Sequence, residues 1–277
     1  MVTVLILSTL LACGDTNPET LVDELRLIAS VAEPPEVGPA EPFDFSMYIA
    51  NPEASELETV TWVCTNLGDG CLEAAGDSIA VSTSALSAEE SSWSETLSTA
   101  PALLGILPET GPLSATAVWT LVCEPGLCPL FEEASSLPAQ DAWSDDLAER
   151  LENPLDWMSD LPTAGVTLAY RLITVTTEVD RRKNPTLVLD GSPSLELEKG
   201  KAFSLSFVVD GDFGDEARLY NYTSGGGFAI TDTFVEAGEC VTIDGTAPDE
   251  AGPIILWAVL NDGLGGTAVW TQTAEVK

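Results

Sequence analysis

Four cysteines sit in two short brackets: Cys64 and Cys71 enclose Thr65-Asn66-Leu67-Gly68-Asp69-Gly70, and Cys123 and Cys128 enclose Glu124-Pro125-Gly126-Leu127. Both spacers are built of turn residues, so each pair can close a local loop. The preferred pairing is Cys64–Cys71 with Cys123–Cys128, as disulfides of an oxidising compartment. A crosslink between Cys64 and Cys123 stays open, because four cysteines allow other connectivities. Zinc is the weaker reading, since six and four intervening residues are not the paired spacing of a structural site. Cys240, flanked by Val241 and Ile243, is expected as a buried thiol in a strand.

The chain has no histidine. Ser-His-Asp and Cys-His catalysis and the usual catalytic zinc sites therefore fall away, because each needs an imidazole. Carboxylate-pair chemistry needs only two spaced acids, but with 45 of them any pair chosen from the sequence is arbitrary. Asp210-Gly211-Asp212-Phe213-Gly214-Asp215-Glu216 resembles a calcium loop and fails its spacing: Gly214 stands fifth, Asp215 sixth and Asn221 twelfth. It reads as an acidic turn. Asn221-Tyr222-Thr223 matches a glycosylation acceptor, and Ser224-Gly225-Gly226-Gly227 lacks the lysine and helix of a phosphate loop. No catalytic residue, metal site or cofactor is assigned, and the chain is not expected to be an enzyme.

These groups need an address and a scaffold. Val2 to Ala12 is an apolar run about 16 Å long as a helix, against roughly 30 Å of bilayer hydrocarbon, so it is too short to span. It fits the apolar region of an export signal, although no Lys or Arg precedes Leu25. The run ends in Leu10-Leu11-Ala12-Cys13, which resembles the lipobox of bacterial lipoproteins. That resemblance implies acylation of Cys13, a signal peptide over 1–12, a tether over 13–20 and attachment to a membrane of the bacterial envelope. Gly14 after the cysteine favours the outer membrane within that family, facing either the periplasm or the outside.

A formal charge of -35, from ten basic and 45 acidic residues, excludes nucleic acid as a partner, since phosphates would be repelled. Hydrophobic residues make up 45% of the chain, and seven tryptophans need a core, so this is no disordered acidic tail. The acids are expected to be a solvated surface.

A Pro-led strand, a turn and a strictly alternating strand occur twice. Pro35 to Pro42 leads into Phe43, Phe45, Met47 and Ile49; Pro193 to Ala202 leads into Phe203, Leu205, Phe207 and Val209. Period-two alternation bounded by turns predicts half-buried strands, and its recurrence predicts two sandwich modules. Here the chain resembles bacterial immunoglobulin-like domains, which implies a mainly β fold of two immunoglobulin-like β-sandwich domains, over 21–180 and 186–277. Pro253–Leu260 and Thr267–Thr271 flank a turn and predict a closing hairpin. Leu113–Val122 and Val166–Val175 are the matching pair in the first module, which makes 124–164 an insertion at one tip.

In that insertion Trp143, Leu147 and Leu151 fall on a helical stripe behind Asp141, and Asn153-Pro154 opens a second helix. A short helical insertion near residues 131–160 is expected. Nine acids against one base between Phe131 and Asp160 make it negative, and Trp143 and Trp157 are its candidate binding surface. Arg181-Arg182-Lys183-Asn184-Pro185, the only basic run, reads as a solvated linker over 181–185. The whole predicts a lipid-anchored, non-catalytic interaction or structural module whose partner is a protein or glycan. A calcium-dependent adhesin and a carboxylate-dependent glycan-active enzyme are the alternatives.

Overall fold

The computed structural model of the chain describes residues 18–65, 80–88, 90–98, 114–128, 130–136, 149–150, 157, 160–162, 164–191 and 195–277. The first half of the chain contributes β1 (Arg26–Glu33), β2 (Glu36–Val37), β3 (Pro42–Ala50), β4 (Leu57–Thr65), β5 (Ala80–Leu86), β6 (Ser92–Ser98), β7 (Ser114–Cys123) and β8 (Val166–Val175). They form a three-stranded sheet, β1-β3-β6, and a five-stranded sheet, β2-β8-β7-β4-β5. The second half repeats the plan with β9 (Thr186–Leu189), β10 (Glu196–Leu197), β11 (Ala202–Asp210), β12 (Arg218–Thr223), β13 (Gly227–Phe228), β14 (Asp232–Phe234), β15 (Cys240–Thr246), β16 (Gly252–Asn261) and β17 (Thr267–Val276). Its sheets are β13-β15-β11-β9 and β10-β17-β16-β12-β14.

The alternation read from sequence is what packs each pair of sheets. Phe43, Phe45, Met47 and Ile49 all lie at 2% exposure or less, and in the second half Leu205, Phe207 and Val209 do the same. Each such side chain contributes roughly 1.5–3 kcal/mol when fully buried. In the first half these strands meet Val63, Val118, Ala169, Ile173 and Val175 from the opposing sheet. In the second they meet Leu219, Leu256, Ala258 and Leu260. Four sheets therefore pack as two sandwiches. The expected hairpin is present, with ten β16 residues in register with β17 from Gly252↔Val276 to Asn261↔Thr267, and β7 pairs with β8 in the same way.

The five-stranded sheets of the two halves share one strand order. A short strand that pairs in parallel with the last strand, β2 with β8 and β10 with β17, follows a strand that belongs to the other sheet. In the second half, β9-β11-β15-β13 runs in the A-B-E-D order of an immunoglobulin sheet, opposite a sheet whose inner run β17-β16-β12 is in G-F-C order. The fold is mainly β and immunoglobulin-like.

The insertion departs from expectation in place. Among the described residues it holds the six-residue helix α1 (Phe131–Ser136), and Glu149, Arg150 and Trp157 are helical as well. The stripe of Trp143, Leu147 and Leu151 lies outside the described residues, so the full helical extent expected near residues 131–160 is not shown. The insertion also does not cap a tip. Leu130, Phe131, Ala134, Trp157 and Leu161 pack over the outward face of the five-stranded sheet, against Val60, Trp62, Trp119 and Leu121. The physical reason is in β4 and β7, which are apolar on both faces and so need cover on both.

The supposed tether and linker are also bound. Pro18–Thr20 forms a 3-10 turn, and Thr20 is fully buried, its hydroxyl accepting the Phe228 amide at 2.9 Å. The Val22 amide donates to the Thr223 carbonyl at 2.9 Å. The tether expected over 13–20 thus ends on the second sandwich. In the basic run, Arg181 makes a two-pronged contact with Glu41, and Arg182 pairs with Glu36. Asn184 donates to the Ala32 carbonyl at 2.7 Å and accepts the Thr267 amide at 2.9 Å. In a chain this acidic, cations find carboxylates close at hand, and the linker is pinned rather than solvated.

Candidate functional site

Register places an aromatic row on the outward face of the first five-stranded sheet. Trp62 of β4 stands opposite Trp119 of β7, which stands opposite Tyr170 of β8. The indoles are parallel within 9° at a centroid distance of 6.1 Å, and Tyr170 tilts at 44° against Trp119 at 4.3 Å. Exposure rises along the row, from 0% at Trp62 through 5% at Trp119 to 43% at Tyr170, and Leu172 on the same face of β8 is also 43% exposed. Partial burial pushes the Tyr170 hydroxyl above its ordinary value, so it is a neutral donor near pH 7. The row ends in an apolar rim with one polar handle.

The insertion that covers the rest of the row is gripped at its base. Glu124 N–H donates to the Gly165 carbonyl at 2.8 Å, closing its two ends together. The Cys123–Cys128 disulfide, with Cα atoms 5.3 Å apart, fixes the first turn, and Gly126 N–H reaches Glu58 at 3.2 Å. Trp157 is half-buried against this layer and donates its indole N–H to the Arg150 carbonyl at 2.8 Å. It therefore serves packing as well as surface, and its sequence partner Trp143 lies outside the described residues.

The equivalent face of the second sandwich is apolar too, and the first sandwich covers it. Val22, Ile28, Ala29 and Ala50 pack on Trp257 and Val259, with Tyr48, Tyr220 and Tyr222 at the margin. Arg26 lies over the Tyr222 ring, 5.2 Å from its centroid. At the rim Arg171 donates to the Ser30 carbonyl at 3.0 Å, the Thr267 hydroxyl at 2.8 Å and the Gly265 carbonyl. Its desolvation lowers the guanidinium pKa, and nearby Asp262 offsets part of that. Asp262, itself buried, accepts the Leu264 and Gly266 amides at 2.7 and 2.8 Å and so shapes the hairpin that Arg171 grips.

Beside the junction an open depression of about 430 Å³ is lined by Arg181, Arg182, Lys183, Asn184, Thr186 and the Asp210–Asp212 turn. Its two arginines are engaged by Glu41 and Glu36. It presents mixed charge and no nucleophile. Among the described residues, no three His, Cys, Asp or Glu side chains gather to hold a metal ion.

The remaining sequence-predicted residues separate. Cys64, at the end of β4, is disulfide-bonded, while Cys71 and Cys13 lie outside the described residues. Cys240 is exposed, contrary to expectation: Val241 and Ile243 face the interior, so strand alternation turns Cys240 outward with Thr242. The acceptor-like Asn221 is fully buried on β12 and closed to a glycosylating enzyme. Sequence reasoning missed Tyr170, Leu172 and Arg171. The available signal was β8 itself, where Leu168, Tyr170 and Leu172 alternate with Ala169, Arg171 and Ile173 and leave neither face polar.

No family model matches the chain, and no curated protein matches it. Among solved structures, red sea bream transglutaminase aligns at 11% identity over 92% of this chain and 32% of its own, with a TM-score of 0.29. The chain thus spans about a third of that protein's length. A chimeric titin Z1Z2 tandem aligns at 11% identity over 91% and 97%, with a TM-score of 0.26. A Dpr2 Ig1-Ig2 complex with DIP-Theta aligns at 7% over 92% and 99%, with a TM-score of 0.25. The immunoglobulin-like assignment rests on strand order.

Proposed function

We propose that the chain is a lipid-anchored bacterial envelope protein of two domains, 21–180 and 186–277, that works as a non-catalytic interaction module. One observation carries this reading. The first sandwich holds a covered aromatic row whose last member, Tyr170, emerges with Leu172 beside an insertion tied down by a disulfide. A rigid apolar rim with a neutral hydroxyl suits the flat face of a protein or glycan partner, because aromatic contact area is ordered before binding. The junction supports the same reading, since its hydrogen bonds join the two sandwiches and its ion pairs tie the linker to the first, rather than surround a reacting atom.

Two experiments test it. Cys13→Ser should release the protein from membranes into a soluble fraction, and a variant that stays bound at high salt would refute the anchor. A photo-crosslinking residue at Leu172 in membrane-extracted protein should capture a discrete neighbour, and Tyr170→Asp should abolish the adduct. An unchanged adduct after Tyr170→Asp would move the interaction surface elsewhere. Thermal unfolding with calcium at constant ionic strength separates the adhesin alternative, which demands a saturating rise in stability.

A further inference from the structure

We infer that the flank of the second sandwich around Ile230 and Phe234 rests on the lipid surface to which the chain is anchored. This rests on the reading of Cys13 as the acylated residue, and it adds which face of the protein meets the bilayer.

The argument begins where the chain becomes fixed. Leu21 bridges Thr223 in parallel, Thr20 accepts the Phe228 amide, and the Thr231 hydroxyl reaches a Glu19 carboxylate oxygen at 3.4 Å. From Glu19 onward the N-terminal segment is therefore held against the edge of the second sandwich, beside the Gly227–Phe234 stretch. Six Cα steps separate Cys13 from Glu19, which even fully extended reach only about 20 Å. The polar layer of a bilayer takes up roughly 5–8 Å of that on one side. An acyl chain on Cys13 thus brings this flank, and not the far side of either sandwich, to the lipid.

The flank is composed for that contact. Phe234, on edge strand β14, is 61% exposed, the highest for any aromatic side chain among the described residues, and Ile230 is 42% exposed. Arg218 lies over the Phe234 ring at 4.1 Å and pairs with Asp232, so the charges between the two apolar residues neutralise each other. Exposed phenylalanine and branched aliphatic side chains gain by burying into the boundary between headgroups and acyl chains. Asp23, Glu24 and Glu236 are exposed on either side and would be repelled by an anionic leaflet, so the surface that fits is one of zwitterionic headgroups.

The acylated full-length protein, carrying Cys240→Ser, is bound to phosphatidylcholine vesicles that contain a lipid-borne fluorescence quencher. An environment-sensitive fluorophore is placed at Phe234→Cys, at Ile230→Cys or at Val188→Cys, the last being exposed on the other sheet of the same sandwich. Quenching at positions 234 and 230 is expected to exceed that at 188 by about threefold or more, with a blue-shifted emission. Equal quenching at all three positions, with vesicle binding still lost in Cys13→Ser, would overturn the inference and leave the anchor intact. Vesicle binding that survives Cys13→Ser would overturn both. A blue shift that grows with protein concentration without vesicles would assign the flank to a second copy and overturn the inference.

Discussion

Arg171 on β8 donates to the Thr267 hydroxyl on β17 at 2.8 Å, joining the two sandwiches across 96 positions of sequence. Arg171 is the inner member of a junction whose outer members, Arg181 with Glu41 and Arg182 with Glu36, lie along the linker. Replacing it tests whether the sandwiches move as one. Arg171→Met keeps the apolar stem and removes the donors, so the Ser30 and Gly265 carbonyls lose a charged partner. Stability should fall by about 2–3 kcal/mol. Proteolysis within 176–186 should accelerate, and unchanged cleavage would show that the linker, not Arg171, sets the geometry.

A comparison within the molecule yields a stabilising substitution. Glu41 N–H closes a turn on the Gly38 carbonyl at 3.2 Å, and Lys201 N–H closes its counterpart on Glu198 at 3.1 Å. The third turn residue is left-handed in both, Ala40 at φ 58° and Gly200 at φ 60°. Only glycine adopts that region without a Cβ penalty of about 1–2 kcal/mol, part of which is returned as unfolded-chain entropy. Ala40→Gly should raise the stability of the first sandwich by about 0.5–1 kcal/mol in urea titration. A lower midpoint would refute it.

Asn221 is fully buried, and neither its side-chain Nδ2 nor its Oδ1 is hydrogen-bonded. An unmatched buried polar group costs about 1–3 kcal/mol. Asn221→Leu has similar volume and should stabilise the second sandwich by that order. Denaturant midpoints measure it directly.

The Glu41 carboxyl is held below its ordinary range, first by its hydrogen bond from Arg181 and then by the Gly38 amide. A depressed folded-state value means stability that is present above the unfolded value of 4.5 and lost as pH falls through the lower folded one. Both partners are solvent-exposed enough for screening to keep the effect small. Arg181→Gln should flatten the acid limb of the stability profile below pH 4.5 and leave the neutral region almost unchanged.

Peptide mapping without reductant should recover the Cys123–Cys128 loop, while Cys240 should alkylate without denaturant. Closing so short a loop contributes about 2 kcal/mol. Reduction should therefore loosen the base of the insertion and raise the exposure of Trp119 fluorescence.

Period-two alternation made the strands legible, because a half-buried strand has only one way to face its core, as Phe43 to Ile49 show. Hairpin turns were legible for the same local reason. What stayed hidden was the use of outward faces. Trp119 and Trp257 lie on the outer sides of their sheets, and no local pattern says that one is covered by an insertion and the other by a neighbouring sandwich. The thiol of Cys240 was misplaced by a single step of strand phase. Arg171 was unremarked because its partners, Ser30 and Gly265, are backbone carbonyls, which carry no sequence signature.

The hydrogen bond between Thr20 and Phe228 spans 208 positions, so during synthesis its two ends appear far apart in time. The first sandwich can close as soon as β8 emerges, yet Thr20 and Val22 must wait for a docking edge that is still being made. Bringing such distant partners together carries a loop-closure cost before any contact rewards it, which slows the final step. Until then the apolar face around Ile28 and Ala50 stands open. Assembly of this protein is thereby sequential, and its slowest and most aggregation-prone moment falls after the first sandwich is already native.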